Sequence, residues 1–216
     1  MVCGGLRLVR IAPFAIALSV VLVGCEDDGA PPDAEQACLA DPPSASYPAV
    51  EQGYGCATGD VIANFRFTLP IEAGDVSRTL GEYHDQAAMG AKLLVWLSAT
   101  GWCGACRYTA RDLDALYAAR GAEGVYVMAS LAENEDGDAA TSADAVAWRD
   151  SLELDYEVVA DNWCAAGTDS FGACGASIAE LPTVFVIDLA TMRILYRATT
   201  DRHVDDVITR ALEAML

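Results

Sequence analysis

The chain has 216 residues, of which 53% are hydrophobic, 21% charged and 8% aromatic, and its 32 acidic and 13 basic side chains leave a formal charge of -19. Those proportions suit one globular domain with some tail to spare and exclude a disordered or collagen-like chain. So acidic a molecule repels phosphate backbones, which argues against nucleic acid as a partner. Eight cysteines in a chain of this size point to an oxidising compartment or to a metal site.

The N-terminus favours the first. Arg7 and Arg10 precede an apolar run from Ile11 to Val23, too short for a transmembrane helix, which takes roughly 20 apolar residues. A basic start, a short apolar segment and a small residue before the cut describe an export signal. Leu22-Val23-Gly24-Cys25 resembles the lipobox of bacterial lipoproteins. That resemblance implies removal of residues 1–24, a diacylglyceryl-modified Cys25 and a chain lipid-anchored on the extracytoplasmic, periplasm-facing side of a membrane. Each methylene buried in the bilayer adds about 0.8 kcal/mol to such an anchor. Ordinary secretion, with Cys25 left as a free thiol, is the alternative. Loss of the leader removes two arginines and no acid, taking the formal charge to -21.

Residues 25–54 are rich in Asp, Glu, Pro, Ala and Ser, with Pro31-Pro32 and Pro42-Pro43 and no apolar periodicity, and read as an extended tether. Residues 55–216 form the domain. Val61 to Leu69 and Val76 to Leu80 read as short strands, and Lys92 to Ala99 as a buried central strand. After Trp102-Cys103-Gly104-Ala105-Cys106, Leu113, Leu116 and Tyr117 recur at helical spacing until Gly121 ends the helix. Gly124 to Leu131 gives the next strand. A polar stretch from Ala132 to Ala140 leads into a helix carrying Val146, Trp148 and Leu152, and Tyr156 to Ala160 is a further strand. Thr183 to Asp188 and Met192 to Ala198 form a hairpin. Asp201 is placed to cap a last amphipathic helix with Val204, Val207, Ile208, Leu212 and Met215 on its apolar side. This order predicts a three-layer α/β fold, with the central strands made parallel by right-handed crossovers.

A Cys-x-x-Cys between a buried strand and a helix is the most specific signal. Unpaired amides and partial positive charge at a helix N-terminus favour a thiolate at Cys103, the form that disulfide exchange requires. Cys106, one turn on, is the expected resolving thiol. Trp102-Cys103-Gly104-Ala105-Cys106 after a hydrophobic strand, with Leu181-Pro182-Thr183 before the hairpin, resembles the thioredoxin superfamily, in particular the exported TlpA/ResA-like thiol-disulfide oxidoreductases, over roughly Gly59 to Leu216. The resemblance implies a thioredoxin-like fold with a central mixed sheet flanked by helices. It also implies a cis Leu181-Pro182 bond beside the dithiol, a groove at Leu181 and Pro182 for an extended substrate segment, and protein thiols or disulfides as partners. No cofactor is expected, and a monomer is. Two departures stand out: Leu97 occupies the position of the family's buried acid, which removes the usual proton acceptor for Cys106 and leaves open whether another group, such as Glu180, replaces it, and Gly104-Ala105 stands where Gly-Pro is common.

Other readings compete for the same residues. A structural Cys103–Cys106 bridge would be a poor staple, because so short a loop constrains the unfolded chain little. A zinc site completed by Cys164 and Cys174 lacks the usual two-to-four-residue spacing in its second pair. Proximity favours structural pairs Cys38 with Cys56 and Cys164 with Cys174, with an electron relay through Cys164 or Cys174 as the alternative. Trp102 could contact a partner, and Arg107 could add positive potential near the thiolate or simply be solvated. Packing accounts for Trp96, Trp148 and Trp163. His84, in a polar loop, and His203, in a helix's first turn, read as surface residues, and the run from Glu133 to Asp138 as a solvated loop without a complete calcium pattern. Two further functions share the fold. One is a thiol peroxidase, for which Thr100 is in place but Trp96 stands where a proline is needed. The other is a copper-delivering module, which wants one more residue between the thiols.

Overall fold

The computed structural model describes residues 47–51, 53–161, 181–199 and 201–215. The expectations for the leader, Cys25, Cys38, Trp163, Cys164, Cys174 and Glu180 fall outside them. The described residues form a seven-stranded mixed sheet and four α-helices. In chain order these are β1 (Arg66–Ile71), β2 (Gly74–Thr79), α1 (Leu80–Gln86), β3 (Leu93–Ala99), α2 (Gly104–Arg120), β4 (Val125–Leu131), α3 (Ser142–Leu152), β5 (Glu157–Ala160), β6 (Thr183–Asp188), β7 (Arg193–Ala198) and α4 (Val204–Ala214). The strands lie in the order β2-β1-β5-β4-β3-β6-β7. β3, β4 and β5 are mutually parallel, as the helical crossovers between them require, and β6, β7, β1 and β2 add on antiparallel.

All of β3 is buried, and its alternation divides the core in two. Leu93, Val95, Leu97 and Ala99 join one cluster with α2, α3 and α4, while Leu94 and Trp96 join another with the N-terminal segment and α1. α4 is held by Val204, Ile208 and Leu212, side chains each worth about 1.5–3 kcal/mol when fully buried. Gly124 ends the turn into β4 at φ 93°, with the Gly90 carbonyl 2.7 Å from where a Cβ would sit, so a side chain there meets both strain and backbone.

The structure departs from the sequence reading at several points. The first strand runs Arg66–Ile71, not from Val61, which makes only an isolated bridge to Arg193. Val61, Ile62 and Phe65 are nonetheless buried, and burial alone does not distinguish a strand from a packed irregular segment. Leu80 opens α1 rather than ending a strand, because Thr79 and Glu82 form a capping box. His84 therefore lies on that helix, its Nδ1 2.6 Å from the Leu189 carbonyl oxygen and its ring edge-on to Tyr47. Asp201 is not the cap of α4; that position is His203, without a side-chain cap, and Asp201 contributes its backbone carbonyl to the Val204 amide. Tyr47, inside the stretch read as tether, is buried and donates its hydroxyl to the Ile62 carbonyl.

Candidate active site

β3 ends at Ala99, and the chain turns through Thr100, Gly101 and Trp102 into α2. Cys103 is the N-cap of that helix: its backbone is extended, and its Sγ accepts the Cys106 amide at 3.1 Å. A cysteine thus does what Ser, Thr or Asp usually does at this position, and the amide aimed at it stabilises negative charge on the sulfur. The two sulfurs are bonded, S–S 2.14 Å and Cα–Cα 5.3 Å. Cys103 is 7% exposed and Cys106 not at all, so of the two Cys103 is the one a partner sulfur can approach. Its neighbours Trp102, Gly104 and Ala105 are exposed.

The second motif meets the first at the same end of the sheet. Leu181-Pro182 is cis. Thr183 pairs with Ser98 across the antiparallel register, so Pro182 and Leu181 continue toward the level of Ala99 and Thr100. Leu181 is partly buried against the cluster that contains both cysteines. Leu97 is wholly buried between Val184 and Ala129 in that cluster, which leaves an apolar side chain where the resemblance looks for an acid. A buried acid does exist at this end: Asp161, fully enclosed, follows β5 and gives its amide to the Leu131 carbonyl. In the sequence nothing singles it out, because an Asp closing an apolar run looks like an ordinary loop residue.

The loop from Glu133 to Asp138 lies against the dithiol turn. Gly101 donates its amide to the Glu133 carbonyl, and a Cβ on Gly101 would come within 2.7 Å of the Asn134–Glu135 backbone. The absence of a side chain there is what lets the loop close in. Trp102, half-exposed, donates its indole N–H to Glu133. Arg107 is directed to Glu135, at 3.0 Å, and to the Ser151 hydroxyl, so its charge serves the loop and α3. Asn134 Oδ1 accepts the amides of Asp136 and Asp138, shaping the turn. Among the described residues no three His, Cys, Asp or Glu side chains are arranged to hold a metal ion. Cys56 is buried and disulfide-bonded.

No family model and no curated protein matches the chain. Solved structures do. A protein from Chlorobium tepidum, titled a candidate thiol:disulfide interchange protein DsbE, is 21% identical with a TM-score of 0.50, over 73% of this chain and 99% of that one. A domain of a possible thiol-disulfide isomerase from Cytophaga hutchinsonii is 17% identical with a TM-score of 0.55, covering 76% and 98%. The thioredoxin domain of a thiol-disulfide oxidoreductase from Bacteroides vulgatus is 15% identical with a TM-score of 0.51, covering 74% and 99%. What is shared at such identities is architecture: the chain has a thioredoxin-like fold, with its own bonded Cys103–Cys106 pair at the head of α2.

Proposed function

We propose that the chain is an enzyme, a thiol-disulfide oxidoreductase that exchanges disulfides with protein partners outside the cytoplasm. The observation that carries this reading is the bonded pair itself, with Cys103 capping α2 and Cys106 enclosed one turn behind it. In the reducing direction the Cys103 thiolate attacks a partner disulfide, forming a mixed disulfide and releasing one partner sulfur as a thiolate that takes up a proton. Cys106 then loses its proton and attacks Cys103 Sγ. The second partner sulfur leaves, two electrons have passed to the partner, and the Cys103–Cys106 bond remains. A donor dithiol reverses these steps to regenerate the protein, and the oxidising direction is the same sequence run backwards. Trp102 flanks the reacting sulfur, while the backbone of Leu181 beside Pro182 offers an extended partner segment a strand to pair with.

Insulin reduction by the purified domain tests the assignment. Cys103→Ser abolishes turnover, and Cys106→Ser accumulates mixed disulfides visible on non-reducing gels; full activity in Cys103→Ser overturns it. The reduction potential of the couple gives the direction of flow, on a scale running from about -270 mV for reductants to -120 mV for oxidants. The signal-like leader supports export, and a lipid on Cys25 would tether the domain to the membrane. Cys25→Ala then moves the chain from the membrane to the soluble fraction.

A further inference from the structure

A partner sulfur has to reach Cys103, which is 7% exposed, so a protein that brings a cystine there must lie on the residues around it. Met89, Tyr108 and Trp102 are the three most exposed large apolar side chains among the described residues, at 73, 72 and 48%. Two of the three flank the dithiol. Tyr108 stands on α2 four residues after Gly104, about 6 Å along the helix axis, and therefore on the same face. Helical side chains lean toward the N-terminus, so that of Tyr108 is directed back toward the turn that begins at Cys103. Gly104 lies between them, and a Cβ there would meet nothing within 4 Å, which leaves room for a side chain of the partner. Ala105 is exposed beside it. Trp102 precedes the sulfur, its indole oriented by the hydrogen bond to Glu133. The stretch itself carries no carboxylate: in a chain with 32 acids, none falls between Trp102 and Arg111. The Arg107 charge is taken up by Glu135. Between Tyr108 and the sulfur a charged flank of the partner thus finds no free counter-ion, whereas an apolar flank is drawn out of water against the rings. A tyrosine suits that contact, because its ring offers a large rigid surface with little conformational freedom to lose.

We propose that Tyr108 sets the specificity of the exchange: it receives an apolar residue next to the partner's cystine, across Gly104 from Cys103, so that the favoured substrates are cystines flanked by aliphatic or aromatic side chains. This rests on the oxidoreductase reading and names its substrate class. Such cystines are accessible in polypeptides that have not finished folding, because folded proteins bury most of their large apolar residues.

The test is single-turnover reduction by the full, pre-reduced chain, which supplies both electrons and needs no other reductant. The substrates are two disulfide peptides identical except for Leu/Phe or Ser beside the cystine, with hydroxyethyl disulfide as a small reference. The native chain should reduce the apolar peptide at least about fivefold faster than the polar one, the effect of one aromatic contact. That ratio should hold in about 0.5 M salt, where charge attraction is screened beyond a few ångströms. Tyr108→Ser should bring the ratio to within about twofold of one, and Tyr108→Phe, which keeps the ring, should preserve it. Tyr126→Ser removes another exposed tyrosine, at the opposite end of the parallel strands, and should leave the ratio unchanged. An unchanged ratio in Tyr108→Ser, a loss of rate shared equally by both peptides, or no peptide preference in the native chain overturns the role of Tyr108 while hydroxyethyl disulfide is still reduced. Sedimentation of the native chain as a dimer that Tyr108→Ser makes monomeric gives the face to a second copy and overturns it as well. Failure to reduce any of the three substrates overturns the oxidoreductase reading itself, and the substrate class with it.

Discussion

The strands present different kinds of side chain on the two faces of the sheet. Away from the dithiol, Trp96 stacks on Phe185 at 4.8 Å between ring centroids and meets Phe67 and Phe65 at 5.8 and 6.2 Å, under a cover of α1 and the N-terminal segment. On the dithiol face the strands present Val95, Leu97, Ala99, Val127 and Ala129, and α2 answers with Ala110, Leu113 and Cys106. Large rings fix one half of the core by sheer buried area. Under α2, small and aliphatic strand residues let the helix lie close to the sheet and enclose Cys106, while the large buried rings of this half, Trp148 and Tyr156, come from outside the strands. The aromatic face thereby adds stability away from the sulfurs, while the dithiol face supplies both burial and reactivity.

The harshest way to break that division is Trp96→Ala. The variant loses a fully buried indole and orphans the Ser130 hydroxyl that accepts its N–H at 2.9 Å, a loss of about 3–5 kcal/mol. Thermal unfolding should drop by about 10 °C, while alkylation of Cys103 in the reduced, still-folded protein keeps its rate. If thiol reactivity moves as much as stability, the faces are not separate.

A smaller change acts on the other face. Ala110 is completely buried on α2, and its carbonyl accepts the Tyr156 hydroxyl at 3.0 Å. Ala110→Leu overfills the gap between helix and sheet, costing about 1–3 kcal/mol. Unlike Trp96→Ala, it should shift the reduction potential of the dithiol measurably, because the helix that carries both sulfurs is displaced. A potential identical to that of the native chain would mean α2 can move without moving the chemistry.

The same division explains what the sequence made legible. The dithiol face was readable because its signals are local and chemical: an apolar run, then Cys103 and Cys106, then residues at helical spacing, with Leu181-Pro182 ahead of a hairpin. β3, β4, α2, α3 and the hairpin lie within a residue or two of where periodicity put them. The aromatic face was harder, since it is assembled from segments whose burial has no period. Tyr47 and Val61 to Phe65 pack into the core without forming a strand, and α1 is too short for a pattern to establish itself, so only the Thr79–Glu82 cap announces it. At the site, Gly101 carries no local signal because its role is a close approach to the Asn134–Glu135 backbone, a contact between residues more than thirty positions apart. The loop that fills that space has the composition of a solvated segment, yet its Glu133 is tied to Trp102.

The gentlest probe concerns α3, which packs on the dithiol face of the sheet. Thr141 caps it, taking the Asp144 amide on its hydroxyl while its own amide and hydroxyl donate to the Asp144 carboxylate at 2.8 and 2.6 Å. These bonds favour the ionised acid and set its folded pKa below the ordinary carboxylate range. Such a group contributes stability that is fully present above the unfolded value, about 3.9 for Asp, and that is lost as pH falls through the lower folded value. Thr141→Ala should therefore cost about 1 kcal/mol at pH 7, measured by urea unfolding, and the gap between the two proteins should narrow as pH falls below about 4. A gap that stays constant from pH 7 to 3 would mean that the Asp144 carboxylate contributes nothing to the cap, and that the start of α3 is held by Thr141 alone.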